Sequence, residues 1–241
     1  MTRTVTDAAL MLEGMAAVGP LAERLQVNLK EFRVGVPVDW LDTPTEEDVK
    51  DGFQVALDAL RRAGAHVREV RLPYAEPSET LGALITHVDC FGKYRFLLES
   101  EAKLSPFFHE LLLATELYGA ADYLTAQRLR RLLVSDVEAV HSEVDLIITP
   151  TVPFRAARLD DMQLTVDGLV VDARTGQGRF TRLSNLTGQP SVSVPVGIDS
   201  NGMPLSVQVI GRPYEERAVL SAARVIELAN PRSIARPSVH L

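Results

Sequence analysis

Apolar positions recur along this chain with two periods, and each switch between them marks an element. Residues 4–17 carry Val5, Ala8, Ala9, Leu12, Met15 and Ala16 at helical spacing, and Thr4 with Asp7 predicts a capping-box start. Residues 32–38 change to alternation, with Val34, Val36 and Val38 on one face of a short strand. Thr43-Pro44-Thr45-Glu46 then predicts a capped helix start with proline at the first position. Val49, Phe53, Ala56, Leu57, Leu60 and Ala63 form that helix's apolar stripe, and Gly64 closes it. A second strand follows over residues 67–72, so strand, helix and strand make a βαβ unit with parallel pairing.

Residues 78–144 predict helix almost throughout. Their stripes run through Leu81, Leu84, Ile85 and Val88, then Phe107, Leu111 and Leu112, then Leu129, Leu133, Val137, Val140 and Val144. Residues 145–150 (DLIITP) form an apolar strand that runs into Thr151-Val152-Pro153. Residues 155–178 predict a loop with a short hairpin. Residues 181–211 predict a polar approach loop, a strand, a turn at Asn201-Gly202 and a second strand. In the first strand Val192, Val194 and Val196 oppose Ser191 and Ser193; in the second, Leu205, Val207 and Val209 oppose Ser206, Gln208 and Ile210. A last helix occupies residues 215–227 and a tail residues 231–241. The fold class this predicts is α/β, a mixed sheet covered by helices.

With 241 residues, 46% of them hydrophobic, the chain can bury a real core. A net charge of −7 without a basic patch or tail argues against a nucleic-acid partner or an anionic membrane surface. No apolar run nears the roughly 20 residues that span a bilayer. Cys90 is the single cysteine, which excludes intrachain disulfides and zinc sites built on two or four cysteines. A reducing, cytoplasmic setting fits.

Candidate chemistry is sparse. His87, Asp89 and Cys90 are close in sequence but do not share a helix face, and His109-Glu110 lacks a second ligand pattern, so no metal site is expected. A triad of His141, Ser142 and Asp145 can be drawn on paper, yet no G-x-S-x-G elbow presents a serine. Arg128, Arg130 and Arg131 predict a solvated helix face. Thr149, Pro150, Thr151 and Pro153 follow an apolar strand, where sites tend to form. Gln208 and Ser193 predict internal hydrogen-bonding groups on the polar face of the hairpin.

The ordered set Asn185-Leu186-Thr187-Gly188-x-Pro190, then Ser193-Val194-Pro195-x-Gly197, then Gly202-x-Pro204-x-x-x-Gln208-x-Ile210-Gly211-Arg212 resembles the C-terminal part of the amidase signature family. Met1, Arg3, Thr4, Val5, Asp7, Ala8, Ala9 and Leu10 match a family segment just beyond the catalytic serine region, and residues 121–131 and 145–153 match further segments. The resemblance implies an α/β fold and hydrolysis of carboxylic amides by a Ser–cis-Ser–Lys triad, without metal or organic cofactor. It also implies that residues 1–241 are a partial domain lacking the catalytic N-terminal half, beginning at a methionine internal in longer relatives.

The sequence has no Gly-Gly-Ser-Ser-Gly-Gly run and no two adjacent serines, and its four lysines (Lys30, Lys50, Lys93, Lys103) lie beside no glycine-rich turn. No catalytic residue is therefore assigned. The resemblance makes Thr149, Pro150, Thr151, Pro153, Thr181 and Asn185 the candidate substrate-pocket residues, with two structural turns as the competing reading. Two functions follow. One is an amidase half, inactive alone, whose partner is a separately encoded N-terminal half or a second copy, acting on a small amide. The other is a non-catalytic interaction module reusing the half-fold.

Overall fold

The computed structural model describes residues 1–16 and 18–230; the tail expected over 231–241 lies outside them. In chain order the elements are α1 (Val5–Ala16), a 3₁₀ turn (Ala22–Arg24), β1 (Arg33–Pro37), α2 (Val38–Leu41), α3 (Glu47–Arg62), β2 (His66–Val70) and α4 (Ser78–Tyr94). There follow a second 3₁₀ turn (Arg95–Glu99), α5 (Pro106–Thr115), α6 (Ala120–Glu143), β3 (Leu146–Pro150), β4 (Gln163–Val166) and β5 (Leu169–Asp172). The last are α7 (Ala173–Gly176), α8 (Arg182–Thr187), β6 (Ser191–Ile198), β7 (Pro204–Gly211) and α9 (Glu216–Ala229). Among the described residues the main sheet has five strands in the order β2-β1-β3-β7-β6, with β4 and β5 a separate hairpin. β1 runs parallel to β2 and β3, while β7 runs antiparallel to β3 and β6, so the sheet is mixed as expected.

Helices cover both faces. On one, Leu146, Ile148, Val194, Val207 and Val209 pack with α1, α3 and α9; on the other, Ile147 and Ile210 pack with α4, α6 and α8. β3 lies between the layers with all five residues buried, which is why its sequence is apolar without alternation. The junction before β3 is pinned by Asp145. Its carboxylate accepts from the backbone N–H of Arg33 (2.8 Å), from Arg33 Nε and Nη2 (3.2 and 3.0 Å) and from Arg212 Nη2 (3.1 Å). Asp145 N–H donates back to Arg33 O at 2.8 Å. Burial pushes the Asp145 carboxyl up, but the Arg33 bonds and the two guanidinium charges outweigh it and hold it below its ordinary value.

At the N-terminus the capping box forms: Thr4 Oγ1 accepts from Asp7 N–H and Asp7 Oδ2 accepts from Thr4 N–H, both at 3.1 Å. The next N–H, of Val5, donates at 2.8 Å to Oε1 of Glu227, a buried residue of α9 that also pairs with Arg224. Gly64 ends α3 at φ +95°. Gly211 closes β7 where α9 passes overhead; a Cβ there would lie 2.4 Å from Val219 Cγ2.

Four expectations are corrected. The Thr43–Glu46 cap does not form: α3 starts at Glu47, and the Glu46 carboxylate instead accepts from Arg155 N–H (2.7 Å) and pairs with its guanidinium. Val38 belongs to α2 rather than β1, because the strand ends at Pro37. Leu129 and Phe107 face solvent (44% and 58% exposed); Ala126 is buried in α6 near Leu129, and Phe108 packs edge-on against Tyr94. The approach loop at 181–185 is the helix α8. Its polar residues bond to its own carbonyls, Thr187 Oγ1 to Leu183 O (2.8 Å) and Asn185 Nδ2 to Thr181 O (3.3 Å), while Leu183 and Leu186 are buried.

Two stability changes follow. Asp145→Asn should cost about 1–2 kcal/mol at neutral pH, reduced from a fully buried case by partial exposure. Because the native carboxyl is held low, its contribution is complete above the unfolded value near 4 and fades as pH falls through the native value. Denaturant titrations at pH 7 and pH 3 should therefore show a smaller difference for Asp145→Asn than for the parent. Gly211→Ala should lower the melting temperature, at a cost of about 1–3 kcal/mol for overpacking against Val219.

Candidate functional site

β3 delivers its last residues to one end of the sheet. Thr149 stands opposite Gln208 of β7, and Gln208 stands opposite Ser193 of β6, so the three form a row across the sheet. Thr149 is fully buried and its Oγ1 has no hydrogen-bond partner. Gln208 Nε2 donates to Phe180 O at 3.0 Å, and the Phe180 ring packs edge-on against Trp40 with centroids 5.3 Å apart. Gln208 thereby ties the segment that leads into α8 to the centre of the sheet.

Thr151 Oγ1 and Ser193 Oγ lie 2.8 Å apart, and Thr151 N–H donates to Ser206 O at 3.0 Å. Two residues along β6, Ser191 Oγ donates to Ser184 Oγ at 3.2 Å, which seats α8 on the same face. Thr181 Oγ1 donates to Gln177 O (3.3 Å), and Asn185 is exposed one turn further on. Pro150 and Pro153 are buried; Pro153 O accepts from Glu46 N–H at 2.9 Å, so these prolines shape the turn. Of the sequence-derived candidates, Thr151 reaches the polar face formed with Ser193, Ser191 and Ser184. Thr181 precedes α8 and Asn185 lies on it, both bonded within that segment, and Thr149 is buried two positions before Thr151. Ser184 and Ser191 are additions; Ser191 is signalled by the polar side of the hairpin's alternation, whereas Ser184 of α8 has no such signal. A cavity of about 330 Å³ adjoins the turn, lined by Val152, Phe154, Met162, Gln177, Leu205 and Ser206 among others.

The groups of the paper triad diverge. His141 Nδ1 lies 3.4 Å from Val144 O, Ser142 Oγ donates to Ala139 O (2.6 Å), and Asp145 holds the two arginines. Burial pushes the His141 imidazole below its ordinary pKa, which fits a core histidine. His87 stacks on Tyr118, and Asp89 accepts from Tyr123 OH (3.4 Å). Among the described residues no three His, Cys, Asp or Glu side chains gather as metal ligands. Arg130 is not purely a solvated charge, since its Nε donates to Leu186 O at 2.6 Å and secures α8 to α6. No helix among the described residues is long and apolar enough to cross a membrane.

β6 is one of the two edges of the main sheet among the described residues, β2 being the other. Gly211 N–H donates to Pro190 O, so by antiparallel alternation Val192 and Val194 bond to β7 while Ser191, Ser193 and Pro195 turn their backbone groups away. Proline is tolerated in this strand because its missing N–H falls on the outward side. A groove of about 530 Å³ runs along this edge, with Met11 and Met15 of α1 exposed on its other wall.

Comparison with known proteins agrees with this architecture. An amidase from Pseudomonas putida is 32% identical over 243 residues, covering 95% of this chain and 52% of the relative. A glutamyl-tRNA(Gln) amidotransferase subunit from Rhizobium meliloti (strain 1021) is 29% identical over 270 residues, covering 96% of this chain and 54% of the relative. A crystal structure of an amidase superposes with a TM-score of 0.84 at 26% identity, over 94% of this chain and 51% of that one. The chain thus spans about half the length of the relatives it matches. The family model for amidases matches residues 1–220, and the chain belongs to the amidase family.

Proposed function

We propose that these 241 residues are the substrate-side half of an amidase, competent to hydrolyse carboxylic amides only when polypeptide carrying a Ser–cis-Ser–Lys triad docks against them. One observation carries the reading. The polar face of Thr151, Ser193, Ser191 and Ser184 lies beside the outward backbone of β6, while the sequence holds no adjacent serines to act as nucleophile and relay. The docking polypeptide adds a strand to β6 and covers the groove beside Met11 and Met15, much as extended segments add to exposed sheet edges elsewhere. Thr151, Thr181 at the entry to α8 and Asn185 on it then form the rim on which the amide rests, and the nucleophile, base and oxyanion donors come from the docked half. One relative is named as part of a multi-chain amidotransferase, which supports assembly with other chains as a way of working for this fold.

The decisive assay measures ammonia or amine release from simple aliphatic and aryl amides. Its samples are the chain alone, the chain mixed with a family N-terminal half bearing the triad, and the same mixture with the nucleophilic serine changed to alanine. Turnover is expected only in the second, at roughly a thousandfold or more above the others, since triad members act as a unit. Turnover by the purified chain alone, or none on mixing, would overturn the reading.

Proline tests the docking edge separately. Ser193→Pro removes an outward N–H and spares the β7 ladder, so it should leave the melting temperature of the chain nearly unchanged yet weaken complementation by about tenfold or more. Ser193→Ala, which removes only the hydroxyl, controls for the bond to Thr151; equal complementation by the two variants would refute strand addition at β6.

A further inference from the structure

Arg182 enters α8 beside Thr181, and its side chain threads between two glycines. A Cβ on Gly82 of α4 would lie 2.8 Å from Arg182 Cδ, and one on Gly178 would lie 2.6 Å from Arg182 Nε. Any larger residue at either position would displace the arginine. Its Nε is sealed from solvent and has no hydrogen-bond partner. Among the described residues no ion pair engages the guanidinium, whose terminal nitrogens are not sealed off with it.

The surroundings hold a carboxylate near this charge but close no ion pair with it among the described residues. Arg179, one turn earlier, is committed to Glu76 through its carbonyl (3.3 Å) and its carboxylate (3.6 Å). Glu79 of α4 feels both arginines but forms an ion pair with neither, and burial pushes its carboxyl above the ordinary range. His87, two turns along α4 from Glu79, is pushed down by burial and by the Arg182 charge. A half-buried guanidinium held in a slot, its Nε sealed and its terminal nitrogens still open, can take a planar anion in bidentate fashion.

We propose that Arg182 anchors a carboxylate carried by the amide substrate, so that this amidase acts on amides of acidic compounds. The inference rests on the reading that the α8 face receives substrate. Arg182 opens the same short helix that carries the rim residue Asn185, three positions further on. Glu79 competes with the ligand for Arg182, and Gly82 and Gly178 keep the slot open.

The test is calorimetric titration of the purified chain with succinamate, and with butyramide as its neutral counterpart of similar size, at low ionic strength. Succinamate should bind saturably and at least about tenfold more tightly than butyramide, and added salt should weaken it. Arg182→Gln and Gly82→Ala should each lose about tenfold or more, the second with the arginine still present. Glu79→Gln should bind succinamate more tightly, a gain that misfolding cannot mimic. Equal binding of the two probes, no binding of succinamate, undiminished binding by Arg182→Gln, or weakened binding by Glu79→Gln would each overturn the proposal. Inorganic phosphate binding as tightly as succinamate would overturn the carboxylate assignment. The complementation assay fails independently: turnover of neutral amides without succinamate binding sinks this inference and spares the half-enzyme reading, and binding without turnover does the reverse.

Discussion

The register of β3 is the constraint on which the rest depends. This strand pairs in parallel with β1 on one side and antiparallel with β7 on the other, and helices bury both its faces. A slip of one residue would turn Ile147 and Thr149 towards the α1–α3–α9 layer and move Ile148 to the opposite side. Asp145 guards against that slip with charge-assisted bonds to Arg33, at the start of β1, and to Arg212, just past the end of β7. One carboxylate thus fixes three strands at one end, and further along β3 and β7 lie Thr149, Gln208 and the turn at Thr151, with Ser193 of β6 beside Gln208.

Much of this was legible from spacing. The stripe of α3, the alternation of β6 and β7 and the apolar run of β3 each have one period and one environment, so pattern and structure coincide. Some failures occur where a polar residue had two possible partners. Glu46 stands at the right spacing to cap its own helix, but the backbone of the loop at Arg155 competes for the same carboxylate and wins. Residues 181–187 looked like loop because Thr, Arg, Ser and Asn dominate; only the burial of Leu183 and Leu186 against neighbouring elements stabilises the turn-and-a-half of α8. Leu129 and Phe107 were misplaced because those helices are apolar on more than one side, so spacing alone does not say which side is inward.

The candidate site was legible only as a neighbourhood. Family motifs led to Thr151, Thr181 and Asn185, but not to the rows that join Thr149 to Gln208 and Ser191 to Ser184 across different elements. Such rows are set by register, which the sequence encodes through the core face rather than through the polar residues themselves. Arg182 was hidden for another reason. Its meaning lies in Gly82 and Gly178, about a hundred residues apart in sequence from one another, and single glycines in a helix or loop carry no signal of what passes beside them.

The bond from Val5 N–H to the Glu227 carboxylate joins residues 222 positions apart. On the ribosome, at the usual 5–20 residues per second, the first helix is exposed for roughly ten to forty-five seconds before its acceptor has been made. Throughout that interval α1 has neither its buried cap nor the α9 surface on which Val5 and Ala9 later rest. An element made well before α9 is therefore among the last to reach its final place, and until then its apolar side is open to whatever chaperone or neighbouring segment meets it first.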